Sequence, residues 1–557
     1  MRFLPTPRSA FPFDPASLNE CKETSPFSSF EIAIRNRYSP EAHPLKQRHD
    51  RDSTADSRSS YASAAPLLGS WYGSHSRTSS YLETGSYRPS YDEGTVAKVL
   101  AAFGLVLSFL IGASLLFVGV DLCINRTTAY KVGEAEGWRL LPLGSIPAEV
   151  LPLPLFLVVT LVTEATGFAH GTALKWQLLK ERRLEFNASL RFMTASGGWI
   201  NGRIMNIILF ITLVATNSST SFVFVSVQGD NAVLVSYLPL IILGIAIIIQ
   251  AGLSTIAVVC SNIPTWSGSI VDVGPALLAQ DITWRIPGRC MRGIDDGHPI
   301  DQTPVLPRER HPTLWEISSW RESVRLIVIF PVILAVLFLV GFAFMMHRLR
   351  GDWSVWKNLT QGVTISGYGS GVLPATRLGW AFAVICIVQT PVALALHVSE
   401  LTVLMYRDEA NWKSACKKGA RSLNPIMTVI GSWASVLLLI VKPVCHWVSG
   451  TAVNFQVLNK APADSGFTAQ SALTIRPLFV VVLAGLLFGL SLFVFIIAIR
   501  RPTGYQPVTY GHLQTLINLV DEWSPVMYWG HKYTSEICHA GTSTLKLPPV
   551  NPDYWYQ

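Results

Sequence analysis

The chain reads as an all-α, polytopic integral membrane bundle of eight spans, and three observations carry that reading. Half of its 557 residues are hydrophobic and only 14% are charged, where a soluble protein carries nearer a quarter. The apolar residues gather in eight blocks of roughly 20 residues or more, the length that crosses ~30 Å of hydrocarbon at ~1.5 Å per residue. The Lys and Arg residues concentrate in alternate connections, the pattern that orients membrane helices.

Taken in order, residues 1–96 are expected to be a disordered cytosolic tail, because Ser, Pro, Tyr and Arg dominate it without sustained periodicity. Its opening, MRFLPTPRSAFPFDP, is interrupted by prolines and lacks the apolar core of a cleaved signal peptide. Arg77-Thr78-Ser79-Ser80 reads either as a phosphorylation site or as solvated linker. Spans 1–4 occupy 97–260, centred on Val99–Val120, Leu151–Ala169, Ile204–Val225 and Ala232–Ala251, the last continuing toward Cys260. A polar cytosolic loop follows over 261–322. Spans 5–8 occupy 323–500, as Arg325–Met346, Ala381–Met405, Pro425–Trp447 and Pro477–Ile499. Residues 501–557 form a cytosolic tail, in which Leu513, Leu516, Ile517, Val520 and Trp523 predict an amphipathic helix seated on the membrane or on the bundle.

The connections after spans 2, 4 and 6 hold seventeen Lys and Arg, and the remaining connections hold nine. That places both termini in the cytosol and the basic loops against anionic lipid. The sequons agree: Asn125-Arg-Thr and Asn358-Leu-Thr fall outside, Asn358 being the better glycosylation candidate because Asn125 adjoins span 1, and Asn187-Ala-Ser falls inside. Either the plasma membrane or an endomembrane suits this pattern. The net charge of +8 is dispersed between spans without a reading motif, which excludes nucleic acid as a partner; no protein partner is indicated. The eight cysteines form no CxxC pair, so neither a zinc nor a dithiol redox site is implied. Only Cys123 and Cys445 fall near the outer face, where geometry decides whether they bridge.

The two halves echo each other. His170-Gly-Thr172-Ala-Leu174 followed by Leu179-Lys180-Glu181 matches His397-Val-Ser399-Glu-Leu401 followed by Tyr406-Arg407-Asp408 without a gap. Both copies sit at the expected cytosolic exit of the second span in a set of four. The reading is a 4+4 duplication, which with an even number of spans gives parallel repeats; chemistry common to membrane exits is the competing explanation.

Polar residues within apolar blocks are the functional candidates. Gln389, His397 and Glu400 share one stripe of span 6, near Pro391, which frees a carbonyl and can kink the helix. Topology sets Glu400 at the cytosolic interface and His397 one turn deeper. Glu164 lies about two-thirds of the way across span 2 with no basic neighbour in sequence; it must be protonated, paired with another span, or wetted. Thr212 and Thr216 begin a hydroxyl stripe in span 3 that either lines a cavity or satisfies its own helix. Lys442 and His446 read as anchors at the outer end of span 7, and Gly485-x3-Gly489 as a site of close helix approach. No nucleotide-binding loop, catalytic-serine elbow or metalloprotease motif occurs. No enzyme activity, metal or cofactor is therefore implied.

The segments FAHGTALKWQLLKERRLEFNASLR (168–191), MYRDEANW (405–412), LVDEWSPVMYWGHK (519–532) and CHAGTS (538–543) resemble a group of functionally uncharacterised multi-span membrane proteins of filamentous fungi. The resemblance covers the membrane region and C-terminal tail. It implies architecture and source, and no activity, substrate or site residue.

Two functions follow. One is a transporter or channel-like protein with a polar path through Glu164, Gln389, His397, Glu400, Thr212 and Thr216. The other is a non-catalytic membrane-organising or regulatory protein acting through its cytosolic tails and basic loops.

Overall fold

The computed structural model describes residues 89, 91–125, 130–132, 135–142, 149–189, 194–228, 232–296, 303–319, 321–348, 363–367, 375–459 and 469–557. Among them eight helices are long and apolar enough to cross a membrane. These are α1 (Thr95–Ile124), α2 (Pro152–Lys180), α3 (Arg203–Val223), α4 (Tyr237–Cys260), α6 (Arg321–Arg348), α7 (Ala375–Lys413), α9 (Trp433–Ala452) and α10 (Pro477–Ile499). Shorter helices are α5 (Ile270–Ala279), α8 (Pro425–Ile430) and α11 (Leu513–Leu519). The all-α polytopic bundle holds, and each expected span overlaps one long helix. Most of the expected tail, 1–96, lies outside the described residues, but its last positions are tied down. Trp266 N donates to Glu93 O and Thr265 Oγ1 to Asp92 O just before α1 begins.

Span 7 is displaced, and the reason is local. Asn424 caps α8 and Gly431 ends it; then the Ser432 side chain accepts from Ser435 N and starts a second helix. Lys442 thereby becomes the tenth of the twenty residues of α9, at the middle of the helix instead of at its outer end. Cys445 moves with it into the interior, and no disulfide joins it to Cys123.

Connections at one end of the bundle, here the sheet end, fold into strands that sequence reading assigned to spans or loops. β1 (Tyr130–Val132) and β2 (Ala135–Pro142) lie between α1 and α2, and β3 (Phe224–Gln228) and β4 (Ala232–Ser236) between α3 and α4. β5 (Val363–Gly367) lies between α6 and α7. β6 (Ala420–Arg421) belongs to the opposite end, and β7 (Val453–Asn459) and β8 (Ala469–Ile475) lie between α9 and α10. The seven sheet-end strands run β1-β2-β4-β3-β7-β8-β5. Outward from the β3–β7 seam, β4 and β2 on one side correspond to β8 and β5 on the other. The seam pair is parallel, with Ser226 opposite Gln456, and every other pairing is antiparallel. A parallel pair flanked by matching antiparallel strands is the product of a two-fold axis along the strands. The helices obey the same axis: α1 packs on α4 as α6 packs on α10, and across the seam α3 meets α7 as α9 meets α2. The 4+4 arrangement of parallel repeats is thus visible in both layers.

Close packing falls on glycines other than those expected. A Cβ on Gly244 of α4 would lie 2.7 Å from Gly112 O and from Leu116 N of α1, whereas one on Gly485 or Gly489 meets nothing within 4 Å. The α10 pair therefore does not mediate close helix approach among the described residues.

At the opposite, tail end, the 261–322 connection and the C-terminal residues fold together. β9 (Val526–Tyr533) and β10 (His539–Ser543) form a sheet with β6. One core joins Ile270, Met291, Trp412, Leu516, Trp529 and Tyr556. The expected amphipathic helix is realised as α11. It sits on the bundle and not on lipid: Leu513 and Ile517 pack with Trp176 and Leu179 of α2 and with α5. In this lobe Asp521 accepts from Thr542 N at 2.6 Å, Lys532 Nζ at 3.1 Å and His539 Nε2 at 3.2 Å. Burial opposes its charge, but the His539 and Thr542 hydrogen bonds and the Lys532 ammonium hold its carboxyl well below the usual range. Burial likewise opposes charge on His539, yet hydrogen bonding to Asp521 raises its pKa from 6.5 to about 9.

Two outcomes are expected. Gly244→Val overpacks the α1–α4 contact and destabilises by about 1–3 kcal/mol, read as a lower thermal midpoint of detergent-purified protein, while Gly485→Ala and Gly489→Ala do not lower it. A histidine with a raised folded pKa contributes fully below its unfolded value and loses that contribution as pH rises through the folded one. The midpoint should therefore fall between pH 6.5 and about 9, and His539→Gln should flatten that interval.

Candidate functional site

α9 packs against α2, α3 and α7, so its inner face meets both halves of the bundle. Lys442 and His446, four residues apart, share that face. Lys442 Nζ lies 2.6 Å from Glu164 Oε1 of α2 and 3.0 Å from Glu400 Oε2 of α7. Glu400 Oε2 is also 3.6 Å from His397 Nδ1. The lysine side chain is 7% exposed, against 29% for Glu164 and 31% for Glu400; the ammonium is the inner member and the carboxylates front it. Glu164 comes from the first half, and Lys442 and Glu400 from the second. The cluster is therefore an ionic tie across the repeat boundary.

Its chemistry follows from charge counting. Ions cost several kcal/mol each to desolvate and persist inside a protein when paired and hydrogen-bonded. One ammonium between two ionised carboxylates leaves one negative charge, which a proton, a monovalent cation or a charged His397 neutralises. The cluster can take up or release a single positive charge while Lys442 keeps a partner.

Toward the sheet end the polar line continues. Gln389 precedes Glu400 by eleven residues, about 16 Å along the helix axis. Its Oε1 accepts from His446 Nδ1 at 3.0 Å, which puts the imidazole proton on Nδ1, and its Nε2 donates to Ser221 Oγ and His446 O at 3.2 Å each. Gln389, His446 and Ser221 are all buried. Ser221 belongs to α3, so this is a second polar contact between halves.

Of the residues expected on one path, the structure joins Glu164, His397 and Glu400 through Lys442, and Gln389 through His446. It does not bring Thr212 and Thr216 into the cluster. Their hydroxyls donate to the α3 carbonyls of Leu209 and Thr212, and Thr216 Oγ1 accepts from Gln250 Nε2 of α4 at 2.8 Å. They hold α3 to α4 within one half. α2 and α7 continue as helix past His170 and His397, to Lys180 and Lys413. His170 lines a pocket between α2, α3 and α4 with space for about one water. Glu400 is bonded to Lys442 at the middle of α9. Asn125 is exposed at the end of α1, where its amide donates to Asp121 Oδ1 at 2.6 Å. Asn358 lies outside the described residues. Asn187 is buried and its amide donates to Gly268 O and Asp408 Oδ2.

Lys442 and His446 are the site residues that sequence reasoning assigned elsewhere. Their i,i+4 spacing in an apolar block was the available signal, and the α8–α9 break decides its meaning. Compared with known proteins, the chain matches no family model, no curated protein and no solved structure. Among the described residues no group of three or more His, Cys, Asp and Glu is placed to hold a metal ion.

Lys442→Met leaves two facing carboxylates without their ammonium and is expected to destabilise by about 3–5 kcal/mol. The triple variant Glu164→Gln, Lys442→Met, Glu400→Gln recovers much of that loss, read as thermal midpoint and membrane abundance. A Lys442→Met protein as stable as wild type would show that the cluster bears no such charge.

Proposed function

We propose that the protein is a multi-pass transporter in which a proton is the coupled charge, carried at the Glu164–Lys442–Glu400 cluster. One observation carries the reading: two carboxylates from opposite halves share one buried lysine. Ionisable groups at membrane depth are costly, and apolar side chains of similar volume pack as well or better. The geometry supplies a coupling route. Lys442 and Glu400 belong to one half and travel together, whereas the Lys442–Glu164 contact crosses the boundary. Protonating Glu164 removes the charge that holds the halves at this point, and movement of one repeat against the other then opens the seam. His397, beside Glu400 and one turn nearer the sheet end, is suited to pass a proton between the cluster and the sheet end. The excess of Lys and Arg in tail-end connections supports a cytosolic tail end.

A second reading, a membrane-organising protein acting through its cytosolic parts, is favoured by the folded lobe of loop and tail, which offers a defined surface in place of a linker.

The test is direct detection of the proton. In reconstituted full-length protein, pH-difference infrared spectra should show a carboxyl C=O band on acidification that disappears in Glu164→Gln and shifts in Glu400→Gln, with Glu322→Gln as an exposed control. Spectra identical to wild type in both cluster variants, at normal abundance, would sink the proton reading.

A further inference from the structure

We propose that residues 507–513 of the C-terminal tail are a releasable clasp, which holds the two repeats together at the tail end and must let go before the bundle opens toward that end. The proposal deepens the transport reading: it rests on movement of one repeat against the other and not on the proton. The segment is bonded to both repeats in turn. On the side of the second repeat, one oxygen of a buried α7 carboxylate, Glu409 Oε2, accepts from Thr509 N at 2.8 Å, from Tyr510 N at 2.7 Å and from Thr509 Oγ1 at 3.2 Å. Charged acceptors make the stronger hydrogen bonds to backbone amides. Trp412 Nε1 of α7 also donates to Pro507 O at 2.8 Å. On the side of the first repeat, in the connection that leaves α2, Asn187 N donates to Gly511 O at 2.8 Å and Glu185 O accepts from Leu513 N at 2.9 Å. The rings of Phe186 and His512 meet edge to face, 5.1 Å between centroids. The 227-residue offset between His170 and His397 sets Glu185 against Trp412. The segment therefore grips the same tail-end element in each repeat.

The crossover from one repeat to the other is the strained point. His512 N donates to Thr509 O at 2.8 Å and closes a tight turn. Both central residues of that turn, Tyr510 (φ 46°) and Gly511 (φ 81°), are left-handed. Glycine takes this conformation freely and tyrosine does not. Glycine at 511 has a further reason: a Cβ there would lie 2.9 Å from Asp408 Oδ2, which already accepts from Asn187 Nδ2 at 2.9 Å across the repeat boundary. A strained residue persists only while its surroundings over-determine it, and such residues gather in switch regions. Around Tyr510 those surroundings are the Glu409 bonds on one side and the Glu185 and Asn187 bonds on the other. Loss of either set lets the turn relax and withdraws the other set, so the segment releases as a unit. A contact that served packing within one repeat would need no such turn.

The test is amide hydrogen exchange of the full-length protein in lipid nanodiscs, read by mass spectrometry. Glu409→Leu removes the acceptor on α7 alone. It should speed exchange about tenfold or more in 507–513, in the last turns of α2 and α7, and in 183–189 of the first repeat, although none of the Glu409 hydrogen bonds goes there. Gly511→Ala, which drives a Cβ against Asp408, should give the same pattern, and it decides the matter if Glu409→Leu does not accumulate. Lys532→Met breaks the Asp521 pair elsewhere in the same lobe and should leave exchange in all four segments as in wild type. The inference is overturned by faster exchange confined to 507–513, by unchanged exchange in the clasp variants, or by the same pattern in Lys532→Met. Loss of the proton reading in the infrared spectra leaves the exchange pattern standing, and a segment that does not release leaves the infrared result standing.

Discussion

A single buried lysine at the middle of α9 sets the terms for the rest of the bundle. Lys442 is tolerable in hydrocarbon only while carboxylates surround it, and those carboxylates sit on α2 and α7, in different halves. Glu400 pairs with Lys442 inside one half, and docking of the halves adds Glu164 as the second carboxylate. Docking in turn depends on the β3–β7 seam, where the two sheets become one, and on the Gln389–His446–Ser221 contact between seam and cluster. Sheet, polar line and ion cluster form one column through the repeat boundary, and each makes the others affordable.

The scaffold is repeated but the chemistry is not. Carrying the 227-residue offset between His170 and His397 along the chain sets Glu164 against Pro391 and Glu400 against Ala173. Neither acid has a counterpart in the other repeat. Two equivalent folds thus supply one asymmetric site, which is what a directional process needs and what pure packing does not. Pro391 lies in α7 between Gln389 and His397, so the interruption that a proline brings to a helix falls beside the candidate residues.

Much of this was legible in the sequence, for reasons that also explain what was not. Eight apolar blocks and the gapless His170/His397 match foretell eight helices in two parallel sets. Glu164, deep and without a local partner, must be protonated, paired with another span or wetted, and the structure gives it the partner. The identity of that partner is hidden because the depth of Lys442 depends on where α9 begins. That start is set by two weak signals, Gly431 and Ser432, inside an otherwise continuous apolar block. The sheet is hidden for a related reason: in a segment such as Phe224-Val-Ser-Val, bordering a span, an apolar run reads equally as strand or as buried helix. The hydroxyls of Thr212 and Thr216 mislead because a stripe looks the same whether it lines a cavity or bonds its own carbonyls. The Glu149–Arg476 pair joins residues more than three hundred positions apart, beyond the reach of spacing arguments.

Charge exchange between Glu164 and Lys442 tests the central claim most directly. Each single reversal spoils the balance of two acids to one base: Glu164→Lys gives two bases, and Lys442→Glu gives three acids. The double variant restores the balance with the positions interchanged. If the two residues form the tie between the halves, the double variant has a higher thermal midpoint than either single one, a coupling beyond additivity. If the effects of the two reversals simply add, Glu164 and Lys442 do not interact and the column described here is not what joins the repeats.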